Sequence, residues 1–175
     1  MEIQVFEIVK ATLADLETLV AISRSTFYET FAKDNSEENM QLYLDEHVTL
    51  QKLTAEMNHQ DSEFYLLKDG LDVIGYLKVN FETAQTELQD NHSLEIERIY
   101  VAAAFHGKHA GQLLFGKALE IARLHGLDYI WLGVWEENKK AIGFYNKNGF
   151  TAFDTHTFVV GNDAQTDILM KLPLK

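Results

Sequence analysis

Tyr129 to Trp135 (YIWLGVW) is apolar almost without a break. A strand covered on both faces reads this way, because neither face needs polar side chains. Helical patterns stand on either side of it. From about Ala110 to His125, Leu113, Leu114, Ala118, Ile121 and Ala122 recur at helical spacing, and Gly126 sits where a helix-ending glycine belongs. From about Asn138 to Asn148, Ala141, Ile142 and Tyr145 form an inner face, and Gly149 follows. A doubly buried strand between two helices restricts the chain to a sheet with helices packed on it.

The rest of the chain extends that pattern. Residues 3–9 (IQVFEIV) read as a strand. Thr12 and Asp15 have capping-box spacing, and Leu13, Leu16, Leu19, Val20, Ser23 and Phe27 predict a helix after them. A second helix is expected from near Ser36, with Met40, Tyr43, Leu44 and Val48 on one face, and a third over about 49–59. Phe64 to Lys68, the turn Asp69-Gly70, and Asp72 to Phe81 read as a hairpin. Residues 83–92 are polar and read as a loop before a strand from Leu94 to Val101. Two closing strands, Phe150 to Val159 and Gln165 to Leu172, flank a GNDA turn. The order βααα-ββ-βαβα-ββ predicts an α/β or α+β fold, a mixed sheet of about seven strands flanked by helices. With 175 residues, one proline and no Gly/Ser-rich linker, a single domain over residues 1–175 is expected.

Charge divides the chain unevenly. Residues 1–100 carry 20 acids and 7 bases, whereas residues 101–175 carry 7 acids and 8 bases. The first part attracts cations and the second does not repel phosphate. An acidic, solubilising surface accounts for this, and so do two ligands of opposite charge. Nucleic-acid binding through a basic face is not expected. The chain has no cysteine, which excludes a thiol nucleophile and a disulfide scaffold and agrees with a reducing cytoplasm. MEIQVFEIVK has neither the basic nor the apolar region of a leader, and no apolar run approaches a membrane span. A cytoplasmic protein without a membrane partner is therefore expected.

Several segments could carry chemistry. After Val101 a short loop with Gly107, Lys108 and Gly111 leads into a helix. Free amides and the positive end of the helix dipole make such a loop an anion site; a plain strand-to-helix turn would use glycine too. Gly111 to Lys117 has P-loop spacing, but Ala118 stands where Mg²⁺ needs a hydroxyl and QLLF continues the helix. His106 and His109 lack nearby partners for a metal, and no metal site is expected. Glu95 and Glu97 share one face of their strand and could act as a base or anchor a cation. Tyr145, taken alone, reads as a core residue.

Together, LEIERIYV, HGKHAG, QLLFGKALEIA, YIWLGVW, EENKKAIGFYNKNGF and TDILMKL resemble, in this order, the GNAT superfamily of acyl-CoA-dependent N-acyltransferases. The tail E-N-x-x-A-I-x-F-Y-x-x-x-G-F is the more specific signal, and LEIERIYV, IWLGVWE, AQTDILM, STFYETF and NSEENMQLYL are similar to PaiA-type spermidine/spermine N-acetyltransferases. The resemblance covers essentially the whole chain. It departs from the family's Q/R-x-x-G-x-G/A loop at His106 and His109, where a non-glycine with positive φ would cost stability.

The resemblance implies acetyl-CoA as co-substrate. The backbone of Ile99, Tyr100 and Val101 would pair with the pantetheine arm, and amides of His106, Gly107, Lys108, His109, Ala110 and Gly111 would hold the pyrophosphate. Asn138 would bond near the thiol, and Tyr145 would protonate the leaving thiolate. Glu97 stands where related polyamine acetyltransferases carry a candidate base. An alkyl ammonium with pKa near ~10.4 must lose a proton before it attacks a thioester, and Glu97 could accept it if its pKa is raised.

The acid-rich part favours a polyamine acceptor, with Glu29, Glu95, Glu97, Tyr28, Tyr43 and Trp135 as candidate lining. A peptide N-terminus, a lysine or an aminated drug is the alternative acceptor. A CoA-binding sensor is the non-catalytic alternative, and the presence of Tyr145, Asn138 and Glu97 argues against it. The family leaves a homodimer open, although no segment marks an interface.

Overall fold

The computed structural model describes residues 4–175. Its elements in chain order are β1 (Phe6–Lys10), α1 (Leu16–Phe31), α2 (Glu37–His47), α3 (Leu50–Asn58), β2 (Ser62–Asp69), β3 (Asp72–Asn80), β4 (Ser93–Val101), α4 (Ala110–Leu124), β5 (Tyr129–Trp135), α5 (Lys139–Lys147), β6 (Thr151–Val160) and β7 (Asp163–Pro173). This is the expected order. The strands form one mixed sheet in the order β1-β2-β3-β4-β5-β7-β6. Residue 3, placed in the first strand by its pattern, lies outside the described residues.

Local chemistry accounts for the element ends. The Asp15 carboxylate accepts the N–H of Thr12 at 2.9 Å, opening a short 3₁₀ turn that runs into α1. Ser36 and Thr49 cap α2 and α3 by accepting from the N–H groups of Asn39 and Lys52. Gly126, at φ 65°, follows α4 as expected.

Alternation along the strands divides the core. Leu77, Val79, Leu94, Ile96, Ile130, Leu132 and Val134 pack with Leu114, Phe115 and Tyr145 under α4 and α5. Phe64, Leu66, Tyr76 and Trp135 pack with Leu19, Phe27, Phe31, Met40 and Leu44 under α1–α3. Two expected inward residues face solvent. Leu13 is 51% exposed because it belongs to the 3₁₀ turn, whose period differs from that of the helix. Leu113 is 44% exposed, and Phe115 takes the inward place beside Leu114.

Residues 83–92 are more than a solvated connection. Gln85 is buried; its side chain accepts from Trp131 Nε1 at 2.7 Å and from Ser93 Oγ at 2.9 Å. The segment packs beneath β4 and β5, and its polarity serves these bonds.

Two departures from regular pairing shape the centre of the sheet. β4 and β5 are parallel but pair only from Ser93 to Glu95 with Tyr129 to Trp131, although both strands run on. Beyond Glu95 and Trp131 they separate. On its other edge β4 carries a bulge: Lys78 opposes Arg98 and Val79 opposes Ile96, so Glu97 is the inserted residue.

Candidate active site

The bulge sets the chemistry of β4. Strict alternation would put Glu97 and Arg98 on opposite faces. With Glu97 as the extra residue, both side chains reach the α1–α3 face. Arg98 forks onto Glu56 of α3 at 2.7 and 2.9 Å. Lys78, nearly buried, lies against Glu97 and 3.4 Å from Glu56. Asn80 Nδ2 donates to Glu97 at 2.9 Å and to Glu95 at 2.8 Å. Two carboxylates thus meet two cations. Burial pushes the Glu97 carboxyl up, but Arg98, Lys78 and the hydrogen bonds outweigh it and hold the pKa below its ordinary value. The raised pKa that would make Glu97 a ready base is therefore not found. Lys78, Arg98 and Glu56 were not among the expected site residues.

Glu95 differs. It accepts from the N–H and hydroxyl of Thr86 and from Asn80, and burial raises its pKa above that of a free carboxyl.

The opening between β4 and β5 is lined by backbone. Ala102 N–H donates to Ile74 of β3 at 2.8 Å. By alternation Tyr100 also turns its backbone to β3, while Ile99 and Val101 turn theirs into the gap. The carbonyl of Val101 meets His106 Nε2 at 2.7 Å, and His106 Nδ1 meets Lys140 of α5 at 3.0 Å. An Nε2–H tautomer satisfies both contacts. His106 thus joins the loop to β4 and α5 by its side chain.

The loop from His106 to Gly111 ends the gap. Gly107 has φ 77°, and His109, the N-cap of α4, has φ 62°. The non-glycine residue therefore occupies a left-handed position, the strained arrangement considered from the sequence. No acidic residue stands in the first turn of α4, and neither Gly107 nor Gly111 has an atom within 4 Å of where a Cβ would be. Lys108 lies over the Phe105 ring at 5.0 Å. Open glycines, first-turn amides including that of Ala110, and nearby lysines suit a pyrophosphate.

Tyr145 is buried between Phe144 and Phe150, and its hydroxyl makes no hydrogen bond with the described residues. Burial pushes its pKa well up, so it stays a protonated donor. Asn138 caps α5 by accepting the Ala141 N–H at 3.2 Å, which leaves its Nδ2 free of that bond.

The expected acceptor lining divides. Trp135 is buried against Phe31 with ring centroids 5.5 Å apart. Tyr43 stacks on Phe27 at 4.3 Å, and burial raises its pKa to about 12. Tyr28 donates to Glu37 at 2.7 Å on the surface. Glu29 accepts the Ala103 N–H at 2.8 Å, so it fastens α1 to the start of the loop.

A further group meets on the same face beyond β5. His156 of β6 has Nδ1 2.8 Å from Glu87 and Nε2 3.9 Å from Asp167 of β7. Burial raises the Asp167 pKa to about 6, with His156 opposing and Glu87 adding to the shift. Asp167 and His156 sit in strands that read from sequence as plain alternation, and nothing there singles them out.

A strand pair that separates beside a glycine loop and a helix start is the arrangement that the resemblance to CoA-dependent acyltransferases implies, and comparison with known proteins agrees. The model of the acetyltransferase (GNAT) family matches residues 19–150. An uncharacterized N-acetyltransferase of Lactobacillus delbrueckii is 44% identical over 168 residues, which cover 96% of this chain and 97% of that protein. The spermidine N(1)-acetyltransferase of Thermoplasma acidophilum is 29% identical over 85% of this chain and 90% of its own length. The crystal structure of PaiA N-acetyltransferase from Thermoplasma acidophilum in complex with coenzyme A superposes with a TM-score of 0.80 at 25% identity, covering 97% of this chain and 99% of that one. The chain belongs to the GNAT family and is an acetyl-CoA-dependent N-acetyltransferase. Among the described residues no cluster of three or more ligating side chains could hold a metal ion, and no helix is long and apolar enough to cross a membrane.

Proposed function

We propose that the protein acetylates a primary amine of a polyamine, with spermidine and spermine as the expected acceptors. The observation that carries this reading is the face on which β4 and β5 separate. It carries the part-exposed carboxylates Glu87 and Asp167, with Glu95, Trp131 and Trp135 buried beside them on the same face. The relative named as a spermidine N(1)-acetyltransferase supports the same acceptor class.

Acetyl-CoA supplies an activated acetyl group as a thioester. In this proposal the backbone of Ile99 and Val101, with Tyr100 between them, holds the pantetheine arm in the gap, while amides from His106 to Gly111 hold the pyrophosphate. Asn138 Nδ2 bonds near the thiol, and the Tyr145 hydroxyl gives its proton to the leaving sulfur. Such placement of two substrates can contribute much of the rate without a covalent enzyme intermediate. Glu97 keeps Lys78 and Arg98 paired beneath the acceptor, and its negative charge is balanced there.

Thiol release from acetyl-CoA with spermidine, spermine, lysine and a short peptide tests the reading. Selective turnover of the polyamines is the expected result. Turnover of the peptide alone would overturn the acceptor class, and no turnover of any amine with CoA still bound would favour a sensor.

A further inference from the structure

β5 carries a glycine at the point where the sheet opens. Trp131 is the last residue of β5 paired with β4, and Gly133 is the next residue on the same face. Across β5, Asp167 opposes Trp135 and Leu169 opposes Gly133. The Asp167 carboxylate leans over the glycine: its Oδ2 lies 3.4 Å from where a Cβ of Gly133 would be, and His156 Cε1 lies at 3.7 Å. Any larger residue at 133 would fill the space between this carboxylate and the gap.

Asp167 is only 14% exposed, yet no described residue donates a hydrogen bond to it. The nearest ring nitrogen, Nε2 of His156, stands at 3.9 Å, beyond hydrogen-bond reach. His156 is itself held from the other side by Glu87; Nδ1 is 2.8 Å from Oε1 but out of line, so that nitrogen is buried without a hydrogen bond. A carboxylate that gives up water gains hydrogen bonds in return, unless a ligand is to supply them. Here no described residue supplies them, and the carboxylate keeps some contact with solvent.

We propose that Asp167 binds the ammonium of the acceptor through the notch at Gly133 and takes its proton, with His156 and Glu87 as positioning residues. The proposal rests on the amine-acetylating reading above. The amine N–H bond breaks, an O–H bond forms on Asp167 Oδ2, and the freed pair stays on nitrogen to attack the thioester carbon. C–N forms as C–S breaks, the sulfur takes the Tyr145 proton, and the acetylated nitrogen releases its second proton through water to the Tyr145 oxygen. A carboxyl group raised to about 6 is charged at neutral pH and remains a stronger base than a free one. The groups facing it are His156 from β6 and Glu87 from the segment before β4.

The test is steady-state acetylation by wild type, Asp167→Asn and Gly133→Ala, using whichever of spermidine, spermine, lysine and peptide the wild type accepts, with CoA binding measured calorimetrically alongside. Asp167→Asn is expected to raise the amine KM at least tenfold, to lower kcat, and to remove the acid limb of kcat/KM near pH 6, while CoA binding stays within twofold. Gly133→Ala, whose new Cβ makes only ordinary contacts, is expected to raise the amine KM and leave the acid limb in place. Unchanged amine KM and pH profile in Asp167→Asn would overturn the inference. Loss of polyamine selectivity in the wild type would overturn the acceptor reading alone. No acetylation of any amine would overturn both.

Discussion

Two charged groups occupy the same face of the sheet and behave in opposite ways. On β3, β4 and α3, the side chains of Lys78, Arg98, Glu97 and Glu56 pair cation to anion, with Arg98 bidentate on Glu56. On β6, β7 and the segment before β4, Glu87, His156 and Asp167 approach one another without a hydrogen bond between them. The first arrangement lowers the Glu97 pKa and the second raises that of Asp167. Burial acts on both carboxylates in the same direction; partners decide the outcome. A buried charge with all its partners holds structure together. One without them is available to a ligand.

The comparison breaks most readily at Arg98. Replacing it with alanine strands Glu56 and Glu97 beside a single lysine. Uncovering a largely buried pair costs about 3 kcal/mol or more. Urea unfolding of Arg98→Ala should show that loss, and a change below about 1 kcal/mol would mean that the four charges are solvated and matter little.

Tyr145 provides the next largest effect, on rate instead of stability. Its hydroxyl has no partner among the described residues, so Tyr145→Phe should unfold within about 0.5 kcal/mol of wild type. Loss of the proposed general acid should lower kcat about a hundredfold. Full activity in the variant would place protonation of the sulfur elsewhere.

The order of elements was legible in the sequence because each signal is local. YIWLGVW reads as a buried strand, Gly126 as a helix stop, and Thr12 with Asp15 as a helix start. Family resemblance pointed to the glycine loop, the gap-facing Ile99 and Val101, and Tyr145, of which Ile99, Val101 and Tyr145 pack in one apolar cluster. The bulge at Glu97 was not, since nothing in LEIERIYV says where a residue is inserted. One extra residue turns Arg98 to the face it would otherwise avoid, and the salt-bridge group follows from that. Glu87, His156 and Asp167 come from three separated segments, so no spacing could announce them. The bond from the Ala103 N–H to Glu29 was hidden for a related reason, since the two residues are 74 apart in sequence.

The raised pKa of Asp167 can be read in stability as well as in catalysis. The folded protein keeps the Asp167 proton up to about pH 6, whereas the unfolded chain releases it near ~3.9. Between these values the native state binds more protons, so this residue makes stability fall as pH rises. Its contribution is fully present below about pH 4 and lost above about pH 6. Asp167→Asn lacks it, and should gain about 1–2 kcal/mol on wild type as pH goes from 4 to 7, after solvent screening. Urea midpoints measured across that range check the sign. Parallel curves would mean that a donor satisfies the carboxylate in solution, and the contrast with Glu97 would disappear.

The smallest effect concerns the loop. His109 holds φ 62° at the N-cap of α4, and its side chain makes no capping bond. His109→Gly relieves about 1 kcal/mol of left-handed strain but gives the unfolded chain more freedom, worth about 0.5–1 kcal/mol. The two nearly cancel, so the melting temperature should rise by a degree or two at most. CoA binding should stay within twofold, because the amides proposed to face the pyrophosphate keep their direction. A tenfold weaker CoA complex would show that the imidazole itself contacts the anion. His109 would then join Asp167 as a side chain whose missing partner is a ligand.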